Sequence, residues 1–158
     1  MYRRILVAVD GSTTSNKAIS AALEMASYSG GSSVIRLIHV IDEMAYFTGL
    51  DPYAGQSYSV TSAMREAGEK VLADALTTAK STGVQVQTIL VDRLGAHLAE
   101  TVAEQAKAWD ASLVVVGTHG RKGIKRMLMG SGAEQIIRLS ICPVLVVRSV
   151  ANTTSEDS

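Results

Sequence analysis

Three glycines and a serine in the second half of the chain have the types and spacing expected of a phosphate-binding loop. Gly117 is followed after two residues by Gly120, and nine residues later Gly130 directly precedes Ser131. Glycine lets the backbone N–H groups approach phosphate oxygens without interference from a Cβ, and it also allows positive φ. Ser131 adds a hydroxyl donor. The stretch therefore predicts a site for the phosphates of a nucleotide.

The position of this stretch favours the same chemistry. It follows the apolar run Leu113–Val116 and ends where a helical pattern begins. Ligands of open α/β sheets bind outside the carboxyl ends of the strands, and a helix N-terminus offers unpaired N–H groups to an anion. The same glycines would also fit a plain turn with Ser131 as the helix N-cap, and spacing alone leaves both interpretations open. The P-loop is excluded because the chain contains no Gly-Lys-[Ser/Thr].

A second polar group follows the first apolar run. Asp10 comes directly after Ile5–Val9 and precedes Gly11 and Ser12. At the carboxyl edge of a sheet its carboxylate could accept hydrogen bonds from ribose hydroxyls. Alternatively, Asp10 orders the turn at Gly11, and Ser12 caps the first helix. Because parallel strands end at one edge, Asp10 and the glycine loop are expected to meet the same ligand.

Short apolar runs alternate with segments of helical spacing along the whole chain. Continuous runs of Val, Ile and Leu are typical of parallel strands that are buried on both faces. The intervening segments place apolar residues at i, i+3 and i+4, which suits packing on a sheet. The pattern predicts an α/β fold, a five-stranded parallel doubly wound sheet with four helices, Rossmann-like in type. The five runs are Ile5–Val9, Val34–Ile41, Val84–Val91, Leu113–Val116 and Val144–Val147.

Length and composition are those of one folded domain. The chain has 158 residues, of which 47% are hydrophobic and 19% charged, so it can form a packed core. We expect the domain to span residues 1–150. The tail, 151–158, has no apolar pattern and is expected to be disordered. A long polar connection, Asp42 to Val60, interrupts the alternation and is expected to be functional or mobile.

Charge and cysteine content exclude several classes of function. Fifteen basic residues balance fifteen acidic ones, which argues against general nucleic-acid binding. The single cysteine, Cys142, cannot form an intramolecular disulfide or a cysteine-based metal cluster. The three histidines lack the spacing of a metal site. No segment is long and apolar enough to span a bilayer, and the N-terminus does not resemble a signal peptide, so the expected location is cytoplasmic.

Three separate motifs together resemble one family. The loop fits the pattern G-x2-G-x9-G-[S/T], the chain begins with Ile5-Leu6-Val7-Ala8-Val9-Asp10-Gly11-Ser12, and it ends near Cys142-Pro143-Val144-Leu145-Val146-Val147-Arg148. Over about residues 2–149 the chain resembles the universal stress protein family, in its ATP-binding branch, whose fold is of the adenine nucleotide α-hydrolase-like type.

The resemblance implies a ligand, its contacts and an assembly. It implies that ATP, with Mg²⁺, is held by the loop residues already named, that Asp10 approaches the nucleoside, and that the backbone of Val40 meets the adenine. The loop residues in question are Gly117, Gly120, Gly130 and Ser131. The resemblance also implies a homodimer paired through the last strand, Val144–Arg148. One departure is Gly132, where a bulkier residue is more usual.

Three hypotheses of function follow. The first is a nucleotide-dependent regulator of the stress response, which is not an enzyme and acts on a protein partner that the sequence does not identify. The second is a slow ATPase or nucleotidyl-transfer enzyme, although no general base is evident on the loop. The third is an interaction protein that uses no nucleotide, against which the complete glycine motif argues.

Overall fold

A computed structural model describes residues 2–42, 58–118 and 130–148 of the chain, without the side chains of residues 58–61 and 81. Within these ranges five β-strands alternate with four α-helices, as the sequence predicted. The strands are β1 (Arg4–Ala8), β2 (Val34–Val40), β3 (Gln85–Val91), β4 (Leu113–Gly117) and β5 (Val144–Val147). The helices are α1 (Thr13–Ser27), α2 (Tyr58–Ala79), α3 (Leu98–Ala108) and α4 (Ser131–Leu139), and a 3₁₀ turn, Lys80–Thr82, follows α2.

The strands form one sheet in the order β3-β2-β1-β4-β5. Every neighbouring pair is parallel, which confirms the predicted doubly wound arrangement. From the central β1 the chain first moves outward to β2 and β3. It then returns to the other side of β1 for β4 and β5. Because each connection has the same hand, this reversal places α1 and α2 on one face of the sheet and α3 and α4 on the other.

The core consists of two apolar layers, one on each face of the sheet. Ile5 and Val7 of β1 pack in the layer with α1 and α2. Leu6, between them, packs in the layer with α3 and α4. All three side chains have no exposed surface, because successive residues of a strand point to opposite faces. Burial of each such side chain contributes about 1.5–3 kcal/mol to folding.

The prediction that all the strands are buried on both faces holds for β1 and β4 but is wrong for the two edge strands. In β3 the side chains of Gln85, Gln87 and Thr88 are exposed. All four residues of β5 are only partly buried. An open five-stranded sheet has two edges, and the helices on its faces leave these edges incompletely covered.

Four strands differ from the predicted runs by one residue at one or both ends, and one helix boundary differs more. Helix α2 begins at Tyr58, so it overlaps the end of the polar connection predicted for Asp42 to Val60. The rest of that connection, residues 43–57, lies outside the described residues, as does the predicted tail, 151–158. None of the helices in the described part of the chain is long and apolar enough to cross a membrane.

Candidate functional site

The sheet separates at its carboxyl edge, between β1 and β4. Pairing between these two strands ends at Val7 and Val115. Beyond that point β1 stays paired with β2, and β4 stays paired with β5 as far as Gly117. A cleft of about 90 Å³ opens between the two halves. Because the strand order reverses here, the cleft lies at the switch point where open α/β sheets bind their ligands.

The ends of two strands and the starts of three helices line the cleft. Asp10 follows β1, Gly117 ends β4 and Gly130 precedes α4, and all three contribute to its wall. Further lining residues come from α1 and α3, namely Ser12, Ser15 and Leu98. The structure therefore brings together three of the predicted site residues from distant parts of the sequence.

The other predicted site residues lie around this cleft or outside the described chain. Val40 is the last residue of β2, the strand next to β1, and its side chain packs in the layer with α3 and α4. Ser131 is the exposed first residue of α4. Neither residue belongs to the wall of the cleft. Gly120 lies outside the described residues.

Asp10 orders the turn between β1 and α1. Its Oδ1 accepts a hydrogen bond from the N–H of Ser12 at 2.9 Å, and its own N–H donates to Oγ of Ser15 at 3.1 Å. Oγ of Ser12 in turn accepts from the N–H of Ser15 at 3.2 Å and caps α1. Gly11 makes the turn possible with φ of 79°. The structural role considered for Asp10 is thus observed, and the residue also lines the cleft.

Gly117 is required by the packing of α1 against β4. A Cβ at this position would lie 2.9 Å from Cβ of Thr14, a distance that real Cβ contacts essentially never show, and 3.0 Å from its Oγ1. The first turn of α1 therefore occupies the space that the missing side chain leaves. Gly117 does not use the positive φ that glycine allows, because this residue ends β4 with ordinary strand geometry.

Gly130 is the N-cap of α4, so the alternative that Ser131 is the N-cap is wrong. Gly130 has φ of −62° and ψ of 147°, an extended conformation open to any residue, so it does not use the positive φ that glycine allows. Its N–H donates to the carbonyl of Thr118 at 2.7 Å, which joins the start of α4 to the end of β4. The N-cap provides no side-chain hydrogen bond to the first turn of α4.

Gly132 gives room to a neighbouring helix. A Cβ there would lie 3.1 Å from Cδ2 of Leu98, so the glycine lets α3 pack closely on the first turn of α4. Leu98 also lines the cleft, and sequence reasoning had not assigned it to the site. In the sequence Leu98 forms an apolar stripe with Val102 and Ala106, but such a stripe does not show which helix N-terminus its first residue covers.

The electrostatics of the cleft suit an anion. The N-termini of α1, α3 and α4 all lie at the cleft, and a helix N-terminus carries about half a positive elementary charge. Asp10 is the one charged side chain among the described residues that line it. In the described ranges no group of His, Cys, Asp or Glu could hold a metal ion. The arrangement offers N–H and hydroxyl donors on the β4 side and a carboxylate on the β1 side.

Comparison with known proteins extends these observations. The family model of the universal stress protein family matches residues 1–148. Universal stress protein YxiE of Bacillus subtilis is 34% identical over 154 residues, which cover 94% of this chain and 100% of that protein.

Solved structures share the fold. The structure of a universal stress protein family member from Burkholderia pseudomallei has a TM-score of 0.72 at 33% identity, and the match covers 94% of this chain and 97% of that one. The universal stress protein from Archaeoglobus fulgidus in complex with dAMP has a TM-score of 0.68 at 21% identity, with coverages of 92% and 98%. At that identity the second likeness concerns the fold alone.

Proposed function

Because this chain belongs to the universal stress protein family, we propose that it is a nucleotide-dependent regulator of the stress response that binds ATP in the cleft between β1 and β4. The observation that carries the proposal is the convergence of Asp10, Gly117 and Gly130 at the switch point, beside three helix N-termini. The dAMP complex of the Archaeoglobus fulgidus protein supports an adenine nucleotide as the ligand class.

The start of α4 is proposed to hold the phosphates. Its N-cap, Gly130, has no side chain, so no cap hydroxyl or carboxylate competes with a phosphate oxygen for the N–H groups of the first turn. Ser131 adds its hydroxyl. Gly117 and Gly120 are proposed to contribute backbone groups to the same loop. Mg²⁺ is proposed to arrive with the triphosphate and to neutralise part of its charge, since the described residues form no carboxylate cage of their own.

The β1 side of the cleft is proposed to hold the nucleoside. Asp10 is fixed through its contacts with Ser12 and Ser15, so its carboxylate is oriented before a ligand binds. Such an oriented acceptor suits the ribose hydroxyls. The backbone of Val40, at the end of the neighbouring β2, is proposed to meet the adenine ring. No catalytic step is part of this function, and the cytoplasmic location stays a prediction.

A homodimer through β5 is also proposed. β5 is an edge strand, and unpaired backbone groups at a sheet edge are a template for pairing with another strand. Three large apolar side chains near it are exposed, Ile137 by 41%, Leu139 by 45% and Ile141 by 72%. Pairing of Val144–Arg148 with a second copy would cover both the edge and part of this apolar surface.

The first experiment identifies the ligand that the protein carries. Protein purified without added nucleotide is denatured, and the released small molecules are separated by chromatography and identified by mass spectrometry. Near-stoichiometric ATP is the expected result. Nucleotide-stripped protein is then titrated calorimetrically with Mg-ATP, AMP and Mg-GTP, and the first is expected to bind most tightly.

The variant that tests the phosphate position is Gly130→Ser. It introduces a hydroxyl that caps the first turn of α4 and competes with phosphate. We expect this variant to bind Mg-ATP about tenfold more weakly. Absence of released nucleotide together with no binding of Mg-ATP at millimolar concentration would overturn the proposed function. Steady release of ADP that depends on an intact Gly130 would instead favour the ATPase hypothesis.

A further inference from the structure

Val9 makes the last backbone hydrogen bond between the β1 segment and β2. Its N–H donates to the carbonyl of Ile38 at 2.9 Å. In a regular parallel ladder the next hydrogen bond would run from the N–H of Val40 to the carbonyl of Val9. The backbone hydrogen bonds of the described residues include no such pair. The ladder between β1 and β2 therefore ends one step before β2 does.

The side chain of His39 binds the carbonyl of Val9, which the backbone of β2 does not bind. Nδ1 of His39 lies 2.7 Å from the carbonyl oxygen of Val9. A carbonyl can only accept, so Nδ1 carries the hydrogen and donates it. The histidine thus replaces a backbone donor with a side-chain donor at the last residue before Asp10.

Close packing holds the ring of His39 in this position. The residue is only 9% exposed and lies beneath α2 at Gly68. A Cβ at Gly68 would lie 2.9 Å from Cδ2 of His39 and also 2.9 Å from Cδ1 of Leu90. The helix can approach this closely because the residue at the contact is glycine, and the ring has little freedom to turn.

The backbone of Val40 faces the space beyond the end of β1. The neighbouring Ile41 donates its N–H to Val91 of β3, and Ile38 accepts from Val9 on the other side. Because successive residues of a strand direct their backbone groups to alternate sides, the N–H and carbonyl of Val40 point toward β1. Past the end of β1 they meet no ladder partner among the described residues.

We propose that His39 is a positioning residue of the nucleotide site, which engages the carbonyl of Val9 and so reserves the N–H and carbonyl of Val40 for the base. This inference rests on the proposed function. One donor and one acceptor on the same residue match the edge of adenine, where N1 accepts and the amino group donates. Hypoxanthine has the opposite pattern, with a donor at N1 and an acceptor at O6. His39 itself touches no ligand.

The test compares ATP with inosine triphosphate, which has the same ribose and phosphates but the hypoxanthine base. Calorimetric titration of the wild-type protein is expected to give at least about tenfold tighter binding of Mg-ATP, since groups that hydrogen-bond one base reject the analogue. His39→Leu removes the donor, which frees the Val9 carbonyl to capture the N–H of Val40. We expect the preference for ATP to fall to within about threefold in this variant.

His39→Asn is the matched control, because the amide nitrogen of asparagine can occupy the place of Nδ1 and restore the preference. Gly68→Ala is a second variant. Its added Cβ would press on the imidazole ring of His39 from α2, while alanine raises the helix propensity of α2. It is expected to reduce the preference for ATP even if His39→Leu does not fold. Thermal unfolding of each variant monitors the fold.

The possible results separate the two proposals. Equal weakening of both nucleotides in His39→Leu, with the ratio unchanged, would mean a purely structural histidine and overturn the inference. A wild-type protein that binds both nucleotides equally would overturn it too, because Val40 would then not read the base. A wild-type protein that binds neither would refute the proposed function itself, and the inference with it.

Discussion

At the scale of single residues, the glycines of the loop have different physical roles. Gly117 faces the first turn of α1, and its missing side chain is replaced by Thr14. Gly130 has a conformation that any residue can adopt, and its missing side chain leaves the N-terminus of α4 without a side-chain cap. The first glycine therefore serves the packing of the protein, whereas the second suits a ligand.

Substitution of these two glycines separates the roles. Gly117→Ala would force α1 away from β4, and we expect it to lower the free energy of unfolding by about 1–3 kcal/mol. Gly130→Ser places a good N-cap residue in an allowed conformation, so we expect its stability to stay within about 0.5 kcal/mol of wild type while ATP binding weakens. Urea unfolding measures both changes. Equal stability of the two variants would contradict this assignment.

Thr101 offers a stabilising substitution. It is 1% exposed in α3, and its Oγ1 has no hydrogen-bond partner within the described parts of the chain. Thr101→Val keeps the shape and removes a buried hydroxyl, so we expect a gain of about 1 kcal/mol in the free energy of unfolding. Thr77→Val is the control, because Thr77 is exposed and little change is expected there. A loss of stability in Thr101→Val would point to a partner for this hydroxyl.

At the scale of elements, the sequence predicted the type and order of the strands and helices well. Apolar runs located the five strands because their side chains are buried where the helices cover the sheet. The exposure of Gln85 and Gln87 was not foreseen, since which strands become edges depends on the direction in which each crossover turns. Serine is a common cap, so Ser131 was considered as the N-cap of α4. The carbonyl of Gly130 accepts the first hydrogen bond of the helix, from the N–H of Glu134 at 3.1 Å, so the cap lies one residue earlier.

The edge strand β5 carries the prediction for assembly. The carbonyl of Val147 accepts a hydrogen bond from the N–H of Thr118, the residue directly after β4. The N–H of the preceding Val146 therefore points outward, away from the sheet. Val146→Pro removes this outward donor without removing a donor to β4, and we expect it to convert the proposed dimer to a monomer in analytical ultracentrifugation. Val146→Ala keeps the N–H and is expected to remain largely dimeric. A wild-type monomer at high concentration would refute the dimer.

At the scale of the whole molecule, the cleft of the candidate site exists because the sheet places β1 beside β4. Asp10 and Gly130 are far apart in the sequence, and shared strand ends bring them to one cleft. The sequence predicted this meeting through the rule that parallel strands end at one edge. It did not reveal the contributions of Ser15 and Leu98 to the cleft, or the packing of Thr14 on Gly117. These contacts depend on how helices from separate crossovers pack against the sheet and against each other.

A ligand that contacts both halves of the sheet is expected to stabilise the entire fold. Binding to the native state alone adds about 2.7 kcal/mol to the free energy of unfolding when the ligand is at 100 times its Kd. We therefore expect Tm to rise continuously with Mg-ATP concentration, as measured by calorimetry. Gly130→Ser is expected to need more ATP for the same rise. An unchanged Tm at saturating ATP would indicate that the cleft holds no nucleotide.

The contact between Gly117 and Thr14 also has a consequence for the history of such sequences. A descendant that no longer used nucleotide would be released from selection on the later part of the glycine motif. It would still inherit the need for the close approach of α1 to β4. The first glycine is therefore expected to persist in lineages from which the others have drifted away, and its presence in a distant homologue is evidence of ancestry and not of ligand use.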